Sequence, residues 1–163
     1  MPADKVLIDE ALWSAAGSTR RLEWRILCED LGKHPELLPR RAATSVVVSV
    51  DAKHVTLEIS EVRDTEFGPA TDRETLRGGR ETLDPVLTEY LDVIRRLDDD
   101  GISSMRAEAL DMAKKVVHDD AGKRIAALFP ALSEDHEARR RFFSLFVALA
   151  VDTTRLASAH RHR

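Results

Sequence analysis

The stretch "TSVVVSVDAKHVTLEIS", residues 44–60, decides the fold class. Its apolar residues alternate. Val46, Val48 and Val50 fall on one face of an extended segment, and Val55, Leu57 and Ile59 fall on one face of the next. Successive strand side chains point to opposite sides, so this period of two reads as a β-hairpin covered on one side. Residues 51–53 form its tight turn. A two-stranded hairpin alone is marginal in water, so the valine face needs helices or a third strand against it.

Outward from the hairpin the period becomes helical. On its N-terminal side, "STRRLEWRILCEDLGKH" reads as the first helix, with Leu22, Ile26 and the set Trp24, Leu27 and Leu31 as its apolar face, ended by Gly32 and Pro35. "PELLPRRAAT" reads as a loop. On the other side, "EFGPATDRETLRGGRET" reads as a loop or a weak third strand, with Gly78-Gly79 its most mobile point. Asp84-Pro85 then starts a helix, a capping side chain followed by proline at the first helical position. Val86, Tyr90, Val93, Ile94 and Leu97 form its face, and Gly101 closes it. The next helix begins near Ser103, with Met105, Ala109, Met112 and Val116 expected on its buried face and a bend or break at residues 119–122. The last long helix is expected to be capped by Ser133, and from Phe142 to Val151 it is apolar nearly all round, which marks it as central.

These elements are segregated rather than alternating. They imply an α+β fold: an N-terminal helix, a β-hairpin or small antiparallel sheet, then a C-terminal bundle of three to four helices. The chain has 163 residues, 43% hydrophobic and 33% charged, which suits a single domain over residues 1–157 and a flexible C-terminal tail at 158–163. The net charge of −4 gives no global pull toward nucleic acid or an anionic membrane. Cys28, the single cysteine, excludes an intramolecular disulfide framework and any multi-cysteine metal site, and its apolar neighbours make it a buried thiol. The charged N-terminus lacks the apolar core of a signal peptide, and "FFSLFVALAV" is too short to span a membrane, so the expected location is the cytoplasm.

The chemistry-bearing residues concentrate on the last two helices. Asp111 and His118 are nearly two full turns apart and share a helix face, with Lys115 between them. Such a face could place a general base beside a cation, or could be a surface ion pair with a histidine near a helix end. His118-Asp119 spells the dipeptide of the metal-dependent HD phosphohydrolases, but of the further ligands that chemistry needs only Asp152 is well placed downstream: upstream, His34 falls in a loop and His54 in a strand. Around Gly101 the calcium-loop pattern fails, because Arg96 takes its first position and Ala107 its twelfth. Arg139, Arg140 and Arg141 could bind an anion or an acidic partner, but successive residues point about 100° apart, and at least one is expected to pair with Glu137 or an acid on a neighbouring helix. His160 and His162 offer only weak, adventitious metal contacts. Trp13 and Trp24 read as core or interface anchors. No phosphate loop, dinucleotide fingerprint, nucleophile elbow or paired zinc histidines occur, so no cofactor and no metal are expected.

Two blocks carry a resemblance. "ALDMAKKVVHDD", residues 109–120, resembles a signature of uncharacterised protein family 0262, A-[IL]-D-M-x-[KR]-[KR]-x-[LV]-H followed by acidic or amide residues. "RRFFSLFVAL", residues 140–149, is similar to that family's C-terminal stretch, and Glu89-Tyr90 matches more weakly. The chain departs from the family after Tyr90, where "LDVIRRLDDD" has fewer aromatics. The resemblance implies a small bacterial cytoplasmic protein of this fold and implies no reaction.

The leading functional reading is a non-enzymatic cytoplasmic interaction or regulatory protein with a protein partner or a homo-oligomeric state. The first alternative is an enzyme acting on a phosphorylated or anionic small molecule. Asp111 and His118 would then be its acid–base pair, and Lys115, Arg140 and Arg141 its anion contacts. The second alternative, and the less favoured, is an accessory protein that binds RNA or DNA through residues 139–141 and Lys123-Arg124.

Overall fold

The computed structural model describes residues 5–33, 44–98, 104–132 and 135–155. Four strands, β1 (Lys5–Ile8), β2 (Thr44–Val50), β3 (His54–Thr65) and β4 (Gly68–Gly79), lie side by side in that order. Among the described residues there are five α-helices, α1 (Glu10–Ala15), α2 (Ser18–Gly32), α3 (Asp84–Asp98), α4 (Ser104–Leu128) and α5 (His136–Ala150), and two short 3-10 turns at Arg80–Thr82 and Thr153–Arg155.

The hairpin has the expected register, with Val46 opposite Ile59, Val48 opposite Leu57 and Val50 opposite Val55, and all six are buried on one face. Its turn is closed by Asp51, whose carboxylate accepts from the backbone N–H groups of Lys53 and His54, each at 2.7 Å. Those two hydrogen bonds hold the Asp51 carboxyl below the usual range.

The N-terminus departs from expectation. Residues 5–8 form an edge strand parallel to β2, and α1 precedes the helix read from sequence. A parallel neighbour needs a crossover, and α1 with α2 supplies it. The sheet is therefore mixed, where a β-hairpin or small antiparallel sheet was expected. In α2, Trp24, Leu27, Cys28 and Leu31 are buried, whereas Leu22 and Ile26 face solvent. Burial, with the Glu29 carboxylate beside it, pushes the Cys28 thiol up to about 12, so it packs as an inert apolar group.

Residues 68–79, expected as a loop or weak strand, form a full edge strand paired with all of β3. Its near half covers the core through Leu57 opposite Leu76. Its far half is a ribbon exposed on both sides, tied by Arg63 to Asp72 at 3.0 Å and turned at Gly68, whose φ of +106° suits glycine. Pro69 is tolerated because β4 is an edge strand.

Gly78 is a docking point rather than a mobile one. A Cβ there would lie 2.4 Å from Leu128 Cγ, at the end of α4. Gly78→Ala should therefore lower stability by about 1–3 kcal/mol through overpacking. Trimming the neighbour in a Gly78→Ala/Leu128→Ala double variant should recover part of the added loss, as a positive coupling in a urea-unfolding cycle. Additive losses would refute the contact.

Helix α5 is the centre of the molecule. Ala138, Phe142, Phe143 and residues 145–149 are buried, and α2 and α4 pack along it. Its cap is Asp135, whose carboxylate accepts from the N–H groups of Glu137 and Ala138 at 2.8 and 3.3 Å. Its last turn leaves carbonyls without helical partners. α2 satisfies them: Trp24 Nε1 and the Arg20 guanidinium donate to the Ala148 carbonyl, both at 3.0 Å.

Helix α4 runs unbroken from 104 to 128, with no break at 119–122. Its orientation is the reverse of the expected one. Leu110, Lys114, Val117, His118, Ala121 and Ile125 are buried, while Met105, Met112 and Val116 are 82%, 61% and 65% exposed. The expected cap Ser133, the loop at 35–43, the residues at 99–103 and the tail at 158–163 lie outside the described residues.

Candidate functional site

Three rings from three helices meet edge-on where α3, α4 and α5 converge. Tyr90 and His118 have centroids 5.1 Å apart, His118 and Phe143 5.3 Å, and Tyr90 and Phe143 5.6 Å, all near perpendicular. Edge-on contact places the positive edge of one ring on the negative face of another. Lys114, one turn before His118 and only 4% exposed, sets its ammonium 5.6 Å from the Tyr90 ring centroid.

His118 is 6% exposed. Burial, reinforced by the positive charges of Arg140 and Lys114 and only partly offset by Asp119, pushes its imidazole down to about 4. At pH 7 it is therefore neutral. It is a weak base there and serves better as a hydrogen-bonding group than as a proton acceptor.

On the α2 and α5 side of His118 lies a cavity of about 50 Å³ lined by Leu27, Asp30, His118, Glu137, Arg140, Arg141 and Ser144. The structure thus brings His118, Arg140 and Arg141 together, three of the five residues singled out in the sequence. Asp111 sits half-buried nearly two turns before His118 and is not part of the lining. Lys115 points to solvent, because it stands about 60° from His118 around the helix, and the buried lysine is Lys114. Lys114 and Asp30 join the site without standing out in the sequence. The signal for Lys114 was its spacing of four residues before His118.

The arginines do pair with acids, as expected of this run. Arg141 lies 3.4 Å from Glu137 and 3.9 Å from Asp30, and Arg140 lies 3.7 Å from Glu137. Asp119 meets His136 at 2.8 Å on the surface, and among the described residues no group of three His, Cys, Asp or Glu side chains is arranged to hold a metal ion. No described helix is long and apolar enough to cross a membrane.

Fold and site together define an α+β protein with a four-stranded mixed sheet, a central helix and, beside it, a small cavity lined by two arginines, two acids and a neutral histidine. Compared with family models, with curated proteins and with solved structures, the chain gives no match.

Proposed function

We propose that this chain is a non-enzymatic interaction or regulatory protein that acts as a homodimer paired through α4, and that it is a member of family 0262. The observation that carries the dimer is the stripe of Met105, Ala109, Met112 and Val116, all exposed. Their spacing of four, three and four residues is that of a helix–helix seam, and the stripe is about 16 Å long. An exposed contiguous apolar stripe of this kind marks an association surface.

Charge argues that the occupant is a second copy. Glu108 and Lys115 are both exposed on the same flank of the stripe. In an antiparallel pairing about a two-fold axis, Met105 meets Val116 and Ala109 meets Met112. The same flank then brings Glu108 of each copy against Lys115 of the other, so the surface is complementary to itself. A seam confined to one pair of helices is a small interface, and dissociation is expected on the order of 10 μM.

Sedimentation equilibrium over a concentration series tests this. Wild type should pass from monomer to dimer. Met112→Glu should leave it monomeric at least tenfold higher in concentration. Glu108→Lys should weaken the dimer, and the charge swap Glu108→Lys/Lys115→Glu should restore it. A monomer up to 1 mM-scale concentration, or a swap that does not rescue, refutes the pairing.

A further inference from the structure

The cavity between α2, α4 and α5 has a donor problem that its own acids do not solve. His118 Nδ1, Arg140 Nε and Arg141 Nε are buried nitrogens on its lining residues, and among the described residues none has a hydrogen-bond partner, Arg141 Nε meeting Glu137 only at 3.4 Å. Each Arg Nε is an obligatory donor, and neutral His118 donates from Nδ1 in one tautomer. A buried donor left unmatched is costly, so the three together call for an acceptor. Asp30 and Glu137 approach the guanidinium groups only at 3.4–3.9 Å. Those contacts hold the cations in place at ion-pair range and leave the two Nε donors without a close, directional bond.

We propose that this cavity binds the carboxylate group of a small organic acid, held by Arg140, Arg141 and His118. Size and charge both select that ligand. One water needs roughly 10–15 Å³ of such space, so a cavity of about 50 Å³ accepts about three or four atoms, which is a carboxylate with its first carbon and not a whole metabolite. The rest of the acid would project past Ser144 and the partly exposed arginine heads. Two arginines face two acids across the cavity, and His118 is neutral, so the lining is close to charge balance. A single negative charge disturbs that balance least. A dianionic phosphate would stand against Asp30 and Glu137 with a charge to spare.

Thermal unfolding of the full chain at pH 7 tests this, with sodium acetate, sodium phosphate and sodium chloride at matched ionic strength. Acetate should raise the midpoint above chloride in a saturable way, because a ligand of the native state alone stabilises it. Phosphate should stabilise less than acetate. Arg140→Gln and Arg141→Gln should each weaken the acetate effect at least tenfold. A second readout needs no variant: the imidazole nitrogen signals of His118 should shift along the acetate titration and stay constant along the chloride one. Acetate no better than chloride, phosphate better than acetate, an undiminished effect in both arginine variants, or His118 signals unmoved by acetate would each overturn the proposal. The dimer has no part in this site, so Met112→Glu should leave the acetate response unchanged.

Discussion

Phe143→Ala should cost about 3–5 kcal/mol of unfolding free energy, the range for removing a fully buried aromatic ring. Phe143 is completely buried at the middle of α5 and touches Tyr90 of α3, His118 of α4 and Phe146 of its own helix. Two losses add. The transferred apolar area of the ring is forfeited, and the cavity left behind lies between three helices that cannot all close on it. Phe143→Leu keeps most of the volume and should cost less than half as much, because only the edge-on contacts and the shape match go. Urea unfolding of the two variants measures the difference. A second signature separates this site from any other core position. Opening the Phe143 side admits water to His118, so its imidazole should titrate closer to the ordinary histidine value near 6.5 in Phe143→Ala. A loss under 1 kcal/mol, or an unmoved imidazole, would show that the three rings do not pack as one cluster.

The sequence was most legible where one physical force acts alone. The hairpin needed only alternation, and Val46, Val48, Val50, Val55, Leu57 and Ile59 lie where that rule puts them. α3 needed only its Asp84-Pro85 start and its apolar face, and α5 needed only its apolar run. Residues 68–79 were less legible because half of β4 is a two-sided ribbon, so its sequence carries no alternation, and glycine, proline and charge read as loop. The pairing with β3 supplies what the side chains do not. β1 has four residues, too few for a period, and its partner is more than thirty residues away.

α4 failed for a more instructive reason. It carries two stripes on opposite sides, each at helical spacing. One is wholly apolar, at 105, 109, 112 and 116. The other, at 110, 114, 117, 118, 121 and 125, contains a lysine and a histidine. Hydrophobicity alone buries the first. The structure buries the second, since Lys114 can lie over Tyr90, His118 can stay neutral between two rings, and Ile125 and Ala121 fill the rest. The same inversion explains the site: Asp111 and His118 were correctly placed on one face, but that face looks inward, and Lys115 lies at its edge.

Acidification should expose the cost of that inversion. The unfolded chain binds a proton at His118 near pH 6.5, whereas the folded chain resists until about pH 4. A depressed folded value means that the stabilisation is fully present above about 6.5, falls as pH drops toward 4, and is flat below. The interval corresponds to a loss on the order of 3 kcal/mol. The surroundings act in both directions. Lys114 on α4 and Arg140 on α5 oppose the imidazolium, and Asp119 favours it. From the cavity side, Arg141 and Glu137 on α5 and Asp30 on α2 face it with opposed charges, and Tyr90 on α3 packs its ring against it. Carboxylates elsewhere also titrate in this range, so the wild-type profile alone does not isolate the histidine. His118→Gln does: it cannot take up the proton, so the stability difference between wild type and variant should shrink by about 3 kcal/mol between pH 7 and pH 4. Parallel profiles over that interval would mean that His118 reaches solvent and charges freely in the folded protein. That result would also remove the buried, neutral donor on which the carboxylate site depends, whereas a converging pair would leave the site its one uncharged hydrogen-bonding group at neutral pH.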